Sequence, residues 1–151
     1  MQRGAREIAF DVPIEYRHRR RVQFHETDVA GIVHFSWFFR YMEEAEHALW
    51  RAAGLSIHPP GSDIGWPRVA ASFEFHRALR FEDEFDVLLR VAEMTKKSIR
   101  YACVLEKGDE KIATGTMTIL CVRKQPTMQA IDIPDEIAAR LRDALHVGDG
   151  L

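Results

Sequence analysis

The chain has 151 residues, 46% hydrophobic, 10% aromatic and 29% charged, which suits one globular domain and is short for two. A domain of this size buries roughly 68–70% of its unfolded surface, so it needs no disulfide or metal to fold, and disorder is excluded. Twenty-one Lys and Arg against 23 Asp and Glu give a net charge of −2, leaving no basic field for a nucleic-acid backbone.

The N-terminal segment MQRGAREIAF lacks the apolar core of a signal peptide. No run approaches the ~18 apolar residues of a membrane helix. Cys103 and Cys121 form no CxxC and share no metal spacing with histidines, so they read as free buried thiols of a reducing compartment. The expectation is a cytoplasmic protein without nucleic-acid or membrane partners.

In chain order, residues 14–24 (IEYRHRRRVQF) alternate as a strand with Ile14, Tyr16, His18, Arg20, Val22 and Phe24 on one face. Its run of Arg17, Arg19, Arg20 and Arg21 reads as a solvated or inter-subunit face. A polar turn and a small-residue segment around Gly31 follow. A helix is predicted from Ser36, capped by that side chain and ended by Gly54 in the left-handed conformation. Phe38, Tyr41, Met42, Ala45, Leu49 and Ala52 recur at spacings of three and four, and Trp37, Phe39, Ala48 and Trp50 widen the apolar surface. Only Arg40, Glu43, Glu44, Glu46, His47 and Arg51 break it, so the helix must be wrapped by a sheet.

Residues 55–66 form a loop marked by Pro59, Pro60, Gly61 and Gly65. Four strands follow. They carry Val69 to Phe75, Phe85 to Val91, Ile99 to Leu105 and Ile112 to Val122, the last two joined by a hairpin at Gly108-Asp109. Pro134 opens a short amphipathic helix over 134–146. Strands in direct succession imply an antiparallel sheet of about five strands against one long helix, an α+β domain spanning the chain. The Val69–Phe75 run is expected at an edge that pairs with a second copy.

Chemistry concentrates in Phe24-His25-Glu26-Thr27-Asp28-Val29-Ala30-Gly31-Ile32-Val33-His34-Phe35-Ser36. Four ionisable side chains lie between a strand and a nearly apolar helix, and Gly31 permits close approach of a ligand to the backbone. A carboxylate beside unpaired helix N–H groups suits acyl transfer or hydrolysis, with the amides holding an oxyanion. A solvated acidic turn is the bland alternative. A metal at His25, Glu26, Asp28 and His34 is compatible with residue types but with no known spacing.

This segment resembles the motif of the hotdog-fold acyl-CoA thioesterases, in particular the 4-hydroxybenzoyl-CoA thioesterase-like group. The pattern is a strand ending in an aromatic, then D-x-D-x-x-G-[IV]-V and the central helix; here it reads VQFHETDVAGIVHFSWFFRYMEEA. Phe75 to Asp83 (FHRALRFED) is similar to the family's Y-x-x-P-x-R-F-x-D segment, with Ala78 at the Pro position. The likeness covers residues 14–123 and implies a hotdog fold with acyl-CoA hydrolysis to a free acid and coenzyme A.

By position, the resemblance puts Asp28 on the catalytic carboxylate, as nucleophile or base for water. Gly31 falls on the motif glycine and the Phe35 backbone N–H on the thioester-carbonyl donor. His34 stands one residue before a position where some relatives carry a catalytic His, so it is a candidate for that role or for the pocket wall. Thr95-Lys96-Lys97-Ser98 is similar to the basic turn that meets the coenzyme A phosphates, near Arg100. Trp37 replaces a small polar residue and is expected to reshape the acyl pocket. Glu26 replaces the first Asp of the motif.

No cofactor is expected, because coenzyme A enters with the substrate. Partners are an acyl-CoA or acyl-carrier-protein thioester and further copies of the chain, as a homodimer or homotetramer. The resemblance places the site at the dimer interface, with Asp28 facing the partner near Arg68 to Ser72. Two other readings share the fold: a non-catalytic acyl-thioester binding module, and a hotdog enoyl-thioester hydratase. The hydratase motif pairing Asp with His is not found, and a binding module has no need of Asp28.

Overall fold

The computed structural model describes residues 15–148. Ile14 and the N-terminal segment lie outside them. In chain order the elements are β1 (Tyr16–Arg21), a 3-10 turn (Phe24–Glu26), α1 (Ser36–Ala52), β2 (Ile64–Gly65), β3 (Arg68–Phe75) and β4 (Glu84–Met94). Then come β5 (Ser98–Lys107), β6 (Glu110–Leu120), β7 (Val122–Arg123), β8 (Gln129–Ala130) and α2 (Asp135–Gly148).

Five strands form one sheet in the order β1-β4-β5-β6-β3, every neighbour antiparallel. Their period-2 patterns send Phe85, Val87, Leu89, Ile99, Tyr101, Leu105, Ile112 and Ile119 to the inner face, where all are buried. The helix lies against that face through Phe38, Tyr41, Met42, Ala45 and Leu49. Each such large side chain contributes about 1.5–3 kcal/mol by leaving water. Register shifts at Arg68/Ala70, Val91/Glu93 and Leu105/Glu106 bend the strands around the helix. Gly115 admits a close crossing: a Cβ there would lie 2.5 Å from the ring of Phe73, which packs edge-on with Phe38 and Phe39.

The helix ends as its sequence requires. Gly54 has φ +75° and donates to Arg51 O, while Leu55 N–H reaches back to Trp50 O at 2.8 Å. Its start differs from expectation. Ser36 is the first helical residue and makes no cap of its own; instead His34 Nδ1 accepts the Ser36 N–H at 3.3 Å and meets Ser36 Oγ at 2.8 Å.

The first strand also differs. It stops at Arg21, and Phe24 lies beyond it in the 3-10 turn, 74% exposed. Arg17, Arg19 and Arg21 face outward and pair with Asp86 and Glu84 on β4. Arg20 alternates inward and belongs to a buried network, so the basic run is not one face. A three-stranded sheet of β2, β7 and β8, absent from the sequence reading, forms where the sixth strand breaks at buried Cys121. Cys103 and Cys121 are free and buried, and burial pushes their thiols up to about 12 and about 11. Both edges of the main sheet are open among the described residues: β1 on one side and β3 on the other, as expected for the Val69–Phe75 run.

Candidate active site

The segment between β1 and α1 is a tight hairpin-like loop. A bridge joins Thr27 to Val33, Asp28 N–H donates to Ile32 O at 2.9 Å, and Gly31 N–H returns to Asp28 O at 2.9 Å. Gly31 has φ +80° with open space around it, so the chain path and not crowding demands glycine here. The Asp28 carboxylate turns back on its own loop, where Oδ1 accepts the Ala30 N–H at 2.8 Å. Among the described residues Oδ2 has no partner.

The loop is pinned from three sides. Val33 N–H donates to Leu79 O, Val22 N–H to Asp83 O, and His34 N–H to Glu26 O. Glu26 is fully buried and accepts from Gln23 N–H, from the Tyr41 hydroxyl and from both terminal nitrogens of Arg20. Burial opposes its charge, but the Arg20 guanidinium, the Gln23 N–H and the Tyr41 hydroxyl together hold the carboxyl below the ordinary carboxylate range.

Asp28 lines a cleft of about 410 Å³ with Ile32, Val33, Phe35, Phe38, Phe75 and the 76–78 turn. The wall is apolar and aromatic. At its edge α1 begins, and no described residue accepts the Phe35 N–H. An N–H at a helix start, free beside a carboxylate, is positioned to receive a carbonyl oxygen that gains charge. The structure therefore brings Asp28 and Phe35 to one cleft, while Gly31 turns the loop that carries Asp28 and does not line the cleft.

It does not bring the other expected residues there. His34 is exposed; its ring leans on Phe35 at 4.6 Å and its Nδ1 is spent on the helix start. Trp37 packs edge-on to His25 at 5.3 Å and against Tyr41, so it supports the loop from behind and is not on the cleft wall. Lys96, Lys97 and Ser98 lie beyond the other end of β4, 11 residues and about 33 Å along the sheet. There Ser98 Oγ meets Thr95 Oγ1 and Lys97 pairs with Asp132 at 2.7 Å. Among the described residues no cluster of His, Cys, Asp and Glu has the geometry to hold a metal. Nor is any described helix long and apolar enough to cross a membrane.

Sequence reasoning passed over one functional candidate, the aromatic pair of cleft walls at Phe38 and Phe75, whose rings meet at 4.9 Å. The clue available was the alternation that sends Phe75 to the same face as Phe73.

The family model for the thioesterase-like superfamily matches residues 22–141. The chain belongs to this superfamily. A protein of Aquifex aeolicus carrying only the provisional description of an esterase is 34% identical over 128 residues, covering 83% of this chain and 97% of that protein. The 1,4-dihydroxy-2-naphthoyl-CoA hydrolase of Synechococcus elongatus is 27% identical, covering 88% of this chain and 96% of the relative. The solved structure of a 1,4-dihydroxy-2-naphthoyl-CoA thioesterase from Synechocystis superposes with a TM-score of 0.80 over 85% of this chain and 96% of that one. At 20% identity that likeness shows the fold, which is the hotdog fold. This thioesterase-family chain thus has hydrolysis of a thioester as its reaction class.

Proposed function

We propose that the protein hydrolyses an aryl-CoA thioester to the free aromatic acid and coenzyme A, with Asp28 as the reacting carboxylate. The observation that carries this reading is Asp28 beside a helix start whose Phe35 N–H has no acceptor among the described residues, at an aromatic-walled cleft. The thioester carbonyl would point at that N–H, putting its carbon within reach of Asp28 Oδ2 or of a water that Oδ2 activates. The N–H and the helix dipole then favour the oxyanion over the ground-state carbonyl. Coenzyme A thiolate leaves readily, so no strong acid and no cofactor are required. Phe35, Phe38 and Phe75 offer flat walls to an aromatic acyl group, in keeping with the naphthoyl substrate named for the Synechococcus relative.

Lys96, Lys97 and Ser98 are proposed to meet the phosphates of the coenzyme. Their distance from Asp28 within one chain means that a second copy must bring its turn to this cleft, so the working unit is a homodimer paired through an edge such as β3. Light scattering should give at least twice 17.4 kDa; an active monomer would defeat the shared site. Release of free thiol from a panel of aryl and aliphatic acyl-CoAs tests the reaction. Asp28→Asn should lower turnover at least about a hundredfold with KM little changed. Near-normal turnover in that variant would remove Asp28 from the chemistry.

A further inference from the structure

The buried Glu26 carboxylate does not line the cleft, yet the loop that carries Asp28 and the helix that begins after Phe35 are both tied to it. Arg20 reaches it from β1, with Nη1 at 3.1 Å. The Gln23 N–H donates from the 3-10 turn at 2.8 Å, and the Tyr41 hydroxyl donates from α1 at 2.8 Å. Its own backbone carbonyl accepts the His34 N–H at 2.9 Å, closing the Asp28 loop one residue before Phe35. Arg20 is itself held, with Nε on Glu44 Oε1 at 2.7 Å and its guanidinium 5.0 Å from the centre of the Tyr41 ring. Asp28 leaves this carboxylate at two residues' distance along the loop, and Phe35 returns to it at the helix start.

We propose that Glu26 is a positioning residue for thioester hydrolysis: its carboxylate fixes the separation between Asp28 and the Phe35 N–H by locking β1, the 3-10 turn and α1 onto one buried anion. The inference rests on the reading of Asp28 and Phe35 given above. Glu26 acts through Asp28 and touches no substrate. A misplacement of about 1 Å at a reacting pair costs up to about a hundredfold in rate, so a locked spacing has kinetic consequence beyond stability. A glutamine at this position fits the space and still accepts the Gln23 and Tyr41 hydrogen bonds through its oxygen. Its NH2 group, however, takes the place of Oε2, faces Arg20 Nη2 and cannot accept from it.

The test is a double-mutant cycle on turnover, read by free-thiol release at a temperature where each variant is folded. Glu26→Gln alone should lower kcat about tenfold and leave KM within about twofold. In the Asp28→Asn background the same substitution should change the residual kcat by less than about twofold, because there is no reacting carboxylate left to misplace. Tyr41→Phe, which removes one hydrogen bond and keeps the ring, should show the same non-additivity with a smaller loss of about threefold. If Glu26→Gln does not fold, Tyr41→Phe decides alone. Equal losses in both backgrounds would make Glu26 a stability residue only and overturn the proposal, as would an unchanged kcat when Glu26→Gln is made in the otherwise wild-type chain. Normal turnover of Asp28→Asn by itself would overturn the catalytic reading instead, so the two failures are distinguishable.

Discussion

Glu26 and Glu46 are the two fully buried glutamates among the described residues, and each is paired with an arginine from an opposite edge of the sheet. Arg20 of β1 bridges Glu26 and Glu44; Arg68 of β3 bridges Glu46 and Glu43. The helix is thus stitched to both edge strands by the same set of charges. The outcomes are opposite. Glu26 has two N–H or O–H donors besides its arginine, and its carboxyl is held below the ordinary range. Glu46 leaves Oε2 with no partner among the described residues, and burial pushes its carboxyl up despite Arg68 and the Tyr101 hydroxyl. Donors matched to both oxygens favour the charged form of a buried carboxylate, and where one oxygen is left without a partner burial outweighs the arginine.

Neutralising each carboxyl separates the two cases most sharply. Glu26→Gln removes a satisfied anion and leaves Arg20 with Glu44 alone, so unfolding free energy should fall by about 1–3 kcal/mol. Glu46→Gln mimics the neutral acid, the form towards which burial shifts this carboxyl, and should stay within about 1 kcal/mol of wild type. Denaturant midpoints at constant m-value measure both. Equal losses at the two sites would show that hydrogen-bond satisfaction does not govern the difference.

Much of the frame is legible in the sequence because local rules decide it. The spacing of Phe38, Tyr41, Met42, Ala45 and Leu49, with Gly54 as stop, predicts α1 to within a residue, and strand alternation predicts four of the five main strands closely. The Asp28 loop stands out because its glycine and its ionisable residues are contiguous. What the sequence hides is direction. Arg20 looks like one of four solvated arginines, and only its shared parity with Tyr16 and His18 hints that it turns inward. Glu46 looks like any polar position on a helix until β3 delivers Arg68 from 22 residues away. Ser36 reads as a cap, yet His34 takes the role because the chain enters the helix already in helical conformation at Phe35. The separation of Lys96–Ser98 from Asp28 depends on strand length and order, which no local motif encodes.

The smaller effect is in pH dependence, and the two glutamates should bend it in opposite directions. Glu26 titrates below its ordinary value of 4.5 in the folded chain, so its contribution is present above that pH and is lost as pH falls through the folded value. Glu46 titrates above 4.5 when folded, so its contribution is complete below 4.5 and is lost as pH rises through the folded value. Other groups face each site: Glu44, Tyr41 and His25 around Glu26, and Glu43, His47 and Tyr101 around Glu46. Because they persist in the variants, the difference from wild type at each pH isolates the one carboxyl. The deficit of Glu26→Gln should therefore be larger at pH 7 than at pH 4. Glu46→Gln should compare more favourably with wild type at pH 7 than at pH 4. Urea denaturation at both pH values provides the four differences. If both variants moved in the same direction with pH, the two carboxyls would share one electrostatic state, and the unpartnered Oε2 of Glu46 would not set its protonation.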